Sequence, residues 1–169
     1  METDYRVSSQ NLGVSGSYEA VNTTFGSLIN FMPSDGLVQS GKIHTLNVIY
    51  SGSTPASGAA VSFVGDIDFI FLNGTVPTSS IGAPLTPFTM SFAETKNILS
   101  NVRLDASGSD GPNYSTIGTF SIASVRNLNI PFNCDSLYLA SVYQKDVTTE
   151  FEPNSVWVSI GYELGQSHS

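Results

Sequence analysis

Residues Ser155–Leu164 read SVWVSIGYEL, in which apolar side chains occupy every second position. Successive side chains of a pleated strand point to opposite faces, so a period of two predicts a half-buried β-strand. The apolar face comprises Val156, Val158, Ile160, Tyr162 and Leu164. The opposite face carries Ser155, Trp157, Ser159, Gly161 and Glu163.

The same alternation recurs outward from this stretch. In Lys42–Tyr50 it places His44, Leu46, Val48 and Tyr50 on one side. In Ala59–Leu72 it places Asp66 and Asp68 opposite an apolar face, where we expect both acids to meet solvent or a neighbour. Further strands are predicted at Tyr18–Phe31, Phe88–Phe92, Ser115–Val125, Arg126–Phe132 and Ser136–Tyr143. Only Phe92–Leu104 has helix-forming composition.

Roughly eight strands separated by turn-forming clusters predict an all-β, antiparallel two-sheet sandwich. Long strands and loops of uneven length favour a single jelly roll over an immunoglobulin-type sandwich. The chain also lacks the paired cysteines of the immunoglobulin type, because Cys134 is its sole cysteine. We therefore predict one jelly-roll domain over residues 1–169, with an N-terminal arm (1–16) and a C-terminal arm (165–169).

Composition narrows the class of function. The net charge of -8 predicts that a phosphate backbone is repelled. Only 12% of residues are charged, and uncharged polar groups cost less to bury against a neighbour than ions do, which favours assembly. A lone cysteine suits a reducing compartment, and we expect neither an export signal nor membrane insertion.

Motifs for catalysis are sparse, and we predict that the chain is not an enzyme and uses no cofactor. His44 begins a strand and His168 is next to last, and neither accompanies a Gly-x-Ser-x-Gly elbow. Cys134 adjoins Asp135, whose negative charge raises the pKa of a neighbouring thiol. We therefore expect Cys134 to be a small, buried apolar residue and not a nucleophile. No glycine-rich phosphate loop occurs.

The acidic residues are compatible with two other functions, glycoside cleavage and calcium binding. The pairs Asp66/Asp68 and Glu150/Glu152 could act in glycoside cleavage, although a solvated strand face explains the same spacing. Asp105, Ser107, Ser109 and Asp110 offer oxygen ligands for calcium, but their spacing departs from the calcium-loop pattern. Whether calcium binds near Asp105 and Asp110 stays open at this point.

The whole pattern resembles the single jelly-roll capsid proteins of small icosahedral viruses, over roughly Ser17 to Leu164. The resemblance rests on three segments: a long first strand ending in NFMP (residues 30–33), a long strand through Phe63 to Leu72, and the closing strand Val156–Leu164. Many RNA-virus coat proteins of this kind begin with a basic arm, which this chain lacks. The departure implies an acidic subunit that does not touch packaged nucleic acid, as in penton and small capsid proteins of tailless viruses with an internal membrane.

The resemblance implies a structural virion protein that is assembled in the host cytoplasm. Its partners would be copies of itself and other capsid subunits, with a host receptor or spike protein as a further possibility. Side contacts in a ring of identical subunits are heterologous, so outward strand faces should carry them. The candidate interface residues are Asp66, Asp68, Trp157, Ser159 and Glu163.

Two alternatives remain. Jelly rolls also serve as receptor- or carbohydrate-binding modules, whose signature is a cluster of exposed aromatic side chains. The seven tyrosines of this chain could supply one, although most of them alternate with core residues. A small enzyme on a sandwich scaffold is the third reading.

Overall fold

The computed structural model describes residues 4–31, 38–51, 66–74, 81–104, 113–117, 120–145 and 149–165. Within these ranges the chain is almost entirely β, with one short helix, α1 (Phe92–Thr95). The strands are β1 (Asp4–Asn11), β2 (Gly16–Tyr18), β3 (Thr23–Thr24), β4 (Ile29–Asn30), β5 (Gln39–Tyr50), β6 (Ile67–Asn73), β7 (Ile98–Leu104), β8 (Asn113–Ile117), β9 (Phe120–Val125), β10 (Ile130–Cys134), β11 (Leu137–Tyr143), β12 (Thr149–Phe151) and β13 (Val156–Leu164). None of the described residues forms a helix with the length and hydropathy needed to cross a bilayer.

The strands form two main antiparallel sheets. The first sheet has the order β1-β13-β5-β9-β8, and β10 also pairs with β5. The second sheet has the order β3-β11-β6-β7, and β4 also pairs with β11. A two-stranded ribbon joins β12 to β2. The predicted all-β antiparallel sandwich is confirmed.

The strand pairs are nested along the chain. The outermost pair, β1 with β13, and the pair β5 with β9 belong to the first sheet. The pair β4 with β11 and the innermost pair, β6 with β7, belong to the second sheet. From outermost to innermost these four pairs alternate between the two sheets, so the chain crosses the sandwich repeatedly, while the ribbon of β2 and β12 belongs to neither sheet.

Apolar side chains of both sheets fill the space between them. On β13, Val156, Val158 and Ile160 are fully buried, which confirms the inward face predicted from the alternation. At one end of the core an aromatic cluster joins Tyr18, Phe25, Tyr143 and Phe151, with Tyr18 5.2 Å from Phe25 between ring centroids. Tyr18 donates its hydroxyl hydrogen to the carbonyl of Phe25, and burial raises the pKa of Tyr18 to about 12.

A β-bulge interrupts β5 at His44. Gly161 on β13 lies opposite Thr45 and the next residue, Tyr162, lies opposite Ile43, so His44 has no partner in that ladder. The extra residue reverses the alternation, and Ile43 and Leu46 are both fully buried. The prediction that His44 shares the face of Leu46 is wrong for this reason. The bulge also separates the part of β5 that pairs with β10 from the part that pairs with β9.

Several predicted strands differ in the structure. The strand predicted over Ser115–Val125 is two strands, β8 and β9, which pair with each other, and the strand predicted over Arg126–Phe132 begins only at Ile130. The single strand predicted over Tyr18–Phe31 is replaced by the short strands β3 and β4, after a turn in which Asn22 has φ 59°. The segment 88–91 is not a strand. Within the described ranges, β3 and β4 pair with the edge of β11 that faces away from β6, and the amides of Phe25 and Phe31 also donate to β11 carbonyls.

The helix predicted over Phe92–Leu104 ends at Thr95 and gives way to β7. Ser91 and Glu94 form a capping box, in which Ser91 Oγ accepts from the Glu94 amide at 3.3 Å and Glu94 Oε2 accepts from the Ser91 amide at 3.1 Å. This local signal starts the helix. Residues Ile98–Leu104 form β7 instead of helix, because they pair with β6 in the second sheet.

The segment predicted as an N-terminal arm contains an integral strand. β1 pairs along its whole length with β13, from Asp4 opposite Leu164 to Asn11 opposite Trp157. Leu12 and Val14, which follow β1, are fully buried. In the C-terminal arm, the Gly165 amide donates to the Ser40 carbonyl at 2.8 Å, and residues 166–169 lie outside the described ranges.

Candidate interaction surface

The outer face of the first sheet is the face turned away from the core, and the register of the strands defines its residues. Residues directly opposite each other in an antiparallel pair share a face. Trp157 lies opposite Asn11 on one side and Ile49 on the other, and Ile49 lies opposite Ile122. These four residues form a row across the sheet, here called the Trp157 row.

A second row, here called the Ser159 row, runs parallel to the first. Ser159 lies opposite Ser9 and Asn47, and Asn47 lies opposite Ser124. The Ser124 hydroxyl donates to Asn47 Oδ1 at 2.6 Å. Every side chain in the row can both donate and accept hydrogen bonds, and none is charged.

Small residues continue the surface beyond the Ser159 row. Gly161 lies between Val7 and Thr45, and its amide donates to Thr45 Oγ1 at 3.1 Å. A Cβ at Gly161 would collide with that same oxygen, so the hydrogen bond needs glycine at this position. The middle of the face is consequently low and flat beside Trp157.

Charged groups on the outer face gather at one end. Glu163 lies opposite Tyr5 and Lys42, and the bulge brings His44 beside them. His44 Nε2 is 3.4 Å from Glu163 Oε1, and the His44 ring stacks on Tyr5 with centroids 5.7 Å apart. Both signs of charge are available there, whereas the Trp157 and Ser159 rows contain neither.

Large apolar side chains are exposed on this face. Val7 is 71% exposed, Tyr5 59% and Trp157 42%. The outer face of the second sheet differs, because Ile81 and Phe88 pack across it against Leu72 and Ala140 in a separate small apolar cluster. The chain thus covers part of the outer face of the second sheet with its own apolar side chains, and it leaves apolar groups on the outer face of the first sheet accessible.

The predicted interface residues fall on two different sheets. Trp157, Ser159 and Glu163 share the outer face of the first sheet, where Ser159 is only 7% exposed between larger neighbours. Asp66 and Asp68 belong to the second sheet or adjoin it. The Oδ1 atom of Asp66 is buried and has no hydrogen-bond partner within the described part of the chain, for which the structure offers no explanation.

Asp68 forms an ion pair within the chain, which corrects the expectation that it meets solvent or a neighbour. Arg103 donates to the carboxylate through Nε at 2.8 Å and Nη2 at 2.7 Å, and Gln144 Nε2 donates at 3.1 Å. The hydrogen bonds from Arg103 lower the pKa of Asp68, against the opposing effect of burial. Arg103 lies 35 residues from Asp68, and the sequence analysis did not single it out.

The remaining candidates are Cys134 and the acidic groups considered for metal binding. Cys134 is buried, and desolvation raises the pKa of its thiol. Across the described ranges, no three His, Cys, Asp or Glu side chains are grouped so as to hold a metal ion. The residues considered for calcium, 105–110, lie outside those ranges.

Val7 is an exposed apolar residue of this surface that sequence reasoning missed. Tyr5 and Val7 alternate with Arg6 and Ser8, and this period of two is the signal that could have predicted β1. The expectation of an N-terminal arm over residues 1–16 left this strand unpredicted.

Comparisons with known proteins add little to this description. No protein-family model matches the sequence, and no curated protein matches it. Among solved structures, the chain is similar to part of dimeric latent PorU from Porphyromonas gingivalis, with 16% identity and a TM-score of 0.27. The similarity covers 96% of this chain and 13% of that chain. It is too weak to inform the fold or the function.

Proposed function

We propose that this chain is a structural virion protein, a single jelly-roll capsid or penton-type subunit that assembles with copies of itself and other capsid subunits into an icosahedral shell. The nested order of its strand pairs is the observation that carries the proposal. No catalytic step, cofactor or direct contact with the genome is part of this role.

The nested order supports the jelly-roll assignment. A jelly roll results when a long antiparallel hairpin is wrapped so that its strand pairs fall alternately in two facing sheets. With eight strands, the first pairs with the eighth, the second with the seventh, the third with the sixth and the fourth with the fifth. The pairs β1/β13, β4/β11, β5/β9 and β6/β7 follow that order.

Charge supports the shell role over genome binding. At a net charge of -8 the subunit repels packaged nucleic acid, while a low content of charged residues reduces the cost of burying its surface against other subunits. A single buried cysteine suits assembly in the reducing host cytoplasm. Because fold alone does not determine function, assembly itself must be measured.

The test is the native mass of the purified chain by sedimentation velocity, combined with electron microscopy, over a range of concentration and salt. We expect closed rings of fixed copy number or shells. A chain that stays strictly monomeric at high concentration in every salt condition would contradict the proposal.

A second candidate is a receptor- or carbohydrate-binding module, and the exposure of Trp157 favours it. An exposed indole beside a row of serine and asparagine side chains offers a stacking platform together with hydrogen-bonding groups, which is the chemistry that sugars require. A glycan array followed by titration would detect such binding, and Trp157→Ala should abolish it. A shell subunit should give no titratable glycan signal.

A further inference from the structure

We propose that the outer face of the first sheet is the surface through which this chain contacts a second copy of itself, with Trp157 inside the contact. This inference rests on the proposed self-assembly and goes beyond it by assigning the contact to one face. Three properties of that face support the assignment.

The first property is accessible apolar surface. Val7 and Trp157 are 71% and 42% exposed, and Ile49 and Ile122 are partly exposed in the Trp157 row. Exposed apolar groups that share one face and are bordered by polar residues are typical of protein contact surfaces. The corresponding face of the second sheet is partly covered by Ile81 and Phe88 of the same chain, which pack near Leu72 and Ala140, so the two faces are not equivalent.

The second property is the absence of charge where the contact would be closest. Two copies of a chain with a net charge of -8 repel each other, and the repulsion is least where uncharged surfaces meet. The Trp157 and Ser159 rows contain no charged side chain. A strongly charged partner would find no opposite charge to pair with in these rows, which favours a second copy over a basic or acidic protein.

The third property is self-complementarity. Serine hydroxyls and asparagine amides both donate and accept hydrogen bonds, so the exposed Ser9 and the partly exposed Asn47 of the Ser159 row can pair with the same residues of another copy, while Ser159 itself is buried. An isologous contact between two copies related by a twofold axis requires this, because one patch must fit itself, and it is distinct from the heterologous side contacts that would close a ring. Gly161 and Ser159 keep the middle of the face low, which allows close approach next to the Trp157 ring.

The test uses Trp157, the sole tryptophan of the chain, as its own probe. Native mass, the emission maximum and acrylamide quenching are measured together on the full chain as its concentration is raised. We expect the emission to shift to shorter wavelength and quenching to fall over the same concentrations at which the mass rises, because assembly removes the indole from water.

A matched pair of variants tests the assignment independently. Val7→Glu places a carboxylate on the proposed face, whereas Phe92→Glu places one at a side chain that is 81% exposed on α1. We expect Val7→Glu to raise the dissociation constant of self-association roughly tenfold or more. We expect Phe92→Glu to leave that constant close to the wild-type value. Circular dichroism of both variants checks that each one folds.

The outcomes separate the two proposals. If the mass rises while Trp157 emission and quenching stay constant, or if Val7→Glu assembles like wild type, the assigned face is wrong and self-assembly stands. If the mass never rises, the proposed function fails and this inference fails with it. A blue shift that requires an added glycan and leaves the mass unchanged would overturn the second-copy contact in favour of sugar binding.

Discussion

Replacing Arg103 with methionine should destabilise the chain more than replacing Asp68 with asparagine, although both changes break one ion pair. The two partners differ in burial, with side-chain exposures of 53% for Arg103 and 8% for Asp68. Loss of Arg103 leaves a buried carboxylate without its counter-charge. Loss of the charge on Asp68 leaves a guanidinium group that water can solvate.

The magnitudes follow from that difference. Breaking a buried pair costs roughly 3–5 kcal/mol when a buried charge is left behind. We expect about 3 kcal/mol for Arg103→Met, because Gln144 still donates to the Asp68 carboxylate. For Asp68→Asn we expect about 1–1.5 kcal/mol, since half of the pair is exposed and screened by solvent.

The pH dependence has a definite sign. The hydrogen bonds from Arg103 lower the pKa of folded Asp68, so the pair contributes stability above the unfolded pKa and loses it as pH falls through the folded pKa. In Arg103→Met the stabilising donor is gone while burial still raises the pKa. The carboxyl group then takes up a proton at higher pH, and acidification narrows the free-energy gap between the two variants.

Urea unfolding followed by Trp157 fluorescence and circular dichroism measures both variants at about pH 7 and about pH 4, the latter near the ordinary pKa of aspartate. Equal losses of unfolding free energy for the two variants at pH 7 would refute the argument that the burial of Asp68 makes the loss of Arg103 more costly. A gap that does not change with pH would refute the assignment of the cost to a buried carboxylate.

Two further predictions concern Gly41 and Cys134. Gly41→Ala should lower stability by about 1–3 kcal/mol, because a Cβ would collide with the Glu163 carbonyl oxygen and the Phe132 ring, and an unchanged melting temperature would contradict this. Cys134 should react slowly with DTNB in the native chain and fully in denaturant, because it is buried and desolvation raises its pKa; rapid native labelling would show that the thiol is accessible.

The sequence predicted best where one strand face is buried and regular. Residues 156–164 alternate without interruption, and β13 has the predicted inward face. Prediction failed at His44, where one extra residue reverses the pattern without any composition signal. It also failed after Thr95, where pairing with β6 outweighs the helix-forming composition of the segment.

The candidate surface was only partly predictable. Alternation placed Trp157, Ser159 and Glu163 on one face, but the residues beside them come from strands that are distant in sequence. Alternation cannot show which strands are neighbours or in which register. For the same reason the sequence marked Asp68 as exposed, since its partner Arg103 is positioned by the pairing of β6 with β7.

The pairing of β1 with β13 has a consequence for the order of folding. Strand pairs that are close in the chain, such as β8 with β9, close short loops, whereas β1 and β13 join residues from opposite ends of the described chain. Long-range pairing is intrinsically slow and completes late. During synthesis β13 leaves the ribosome after the other strands that the structure describes, and it carries Trp157 and Ser159. The surface through which we propose that copies meet is therefore incomplete in nascent chains until β13 has been synthesised and has joined the first sheet.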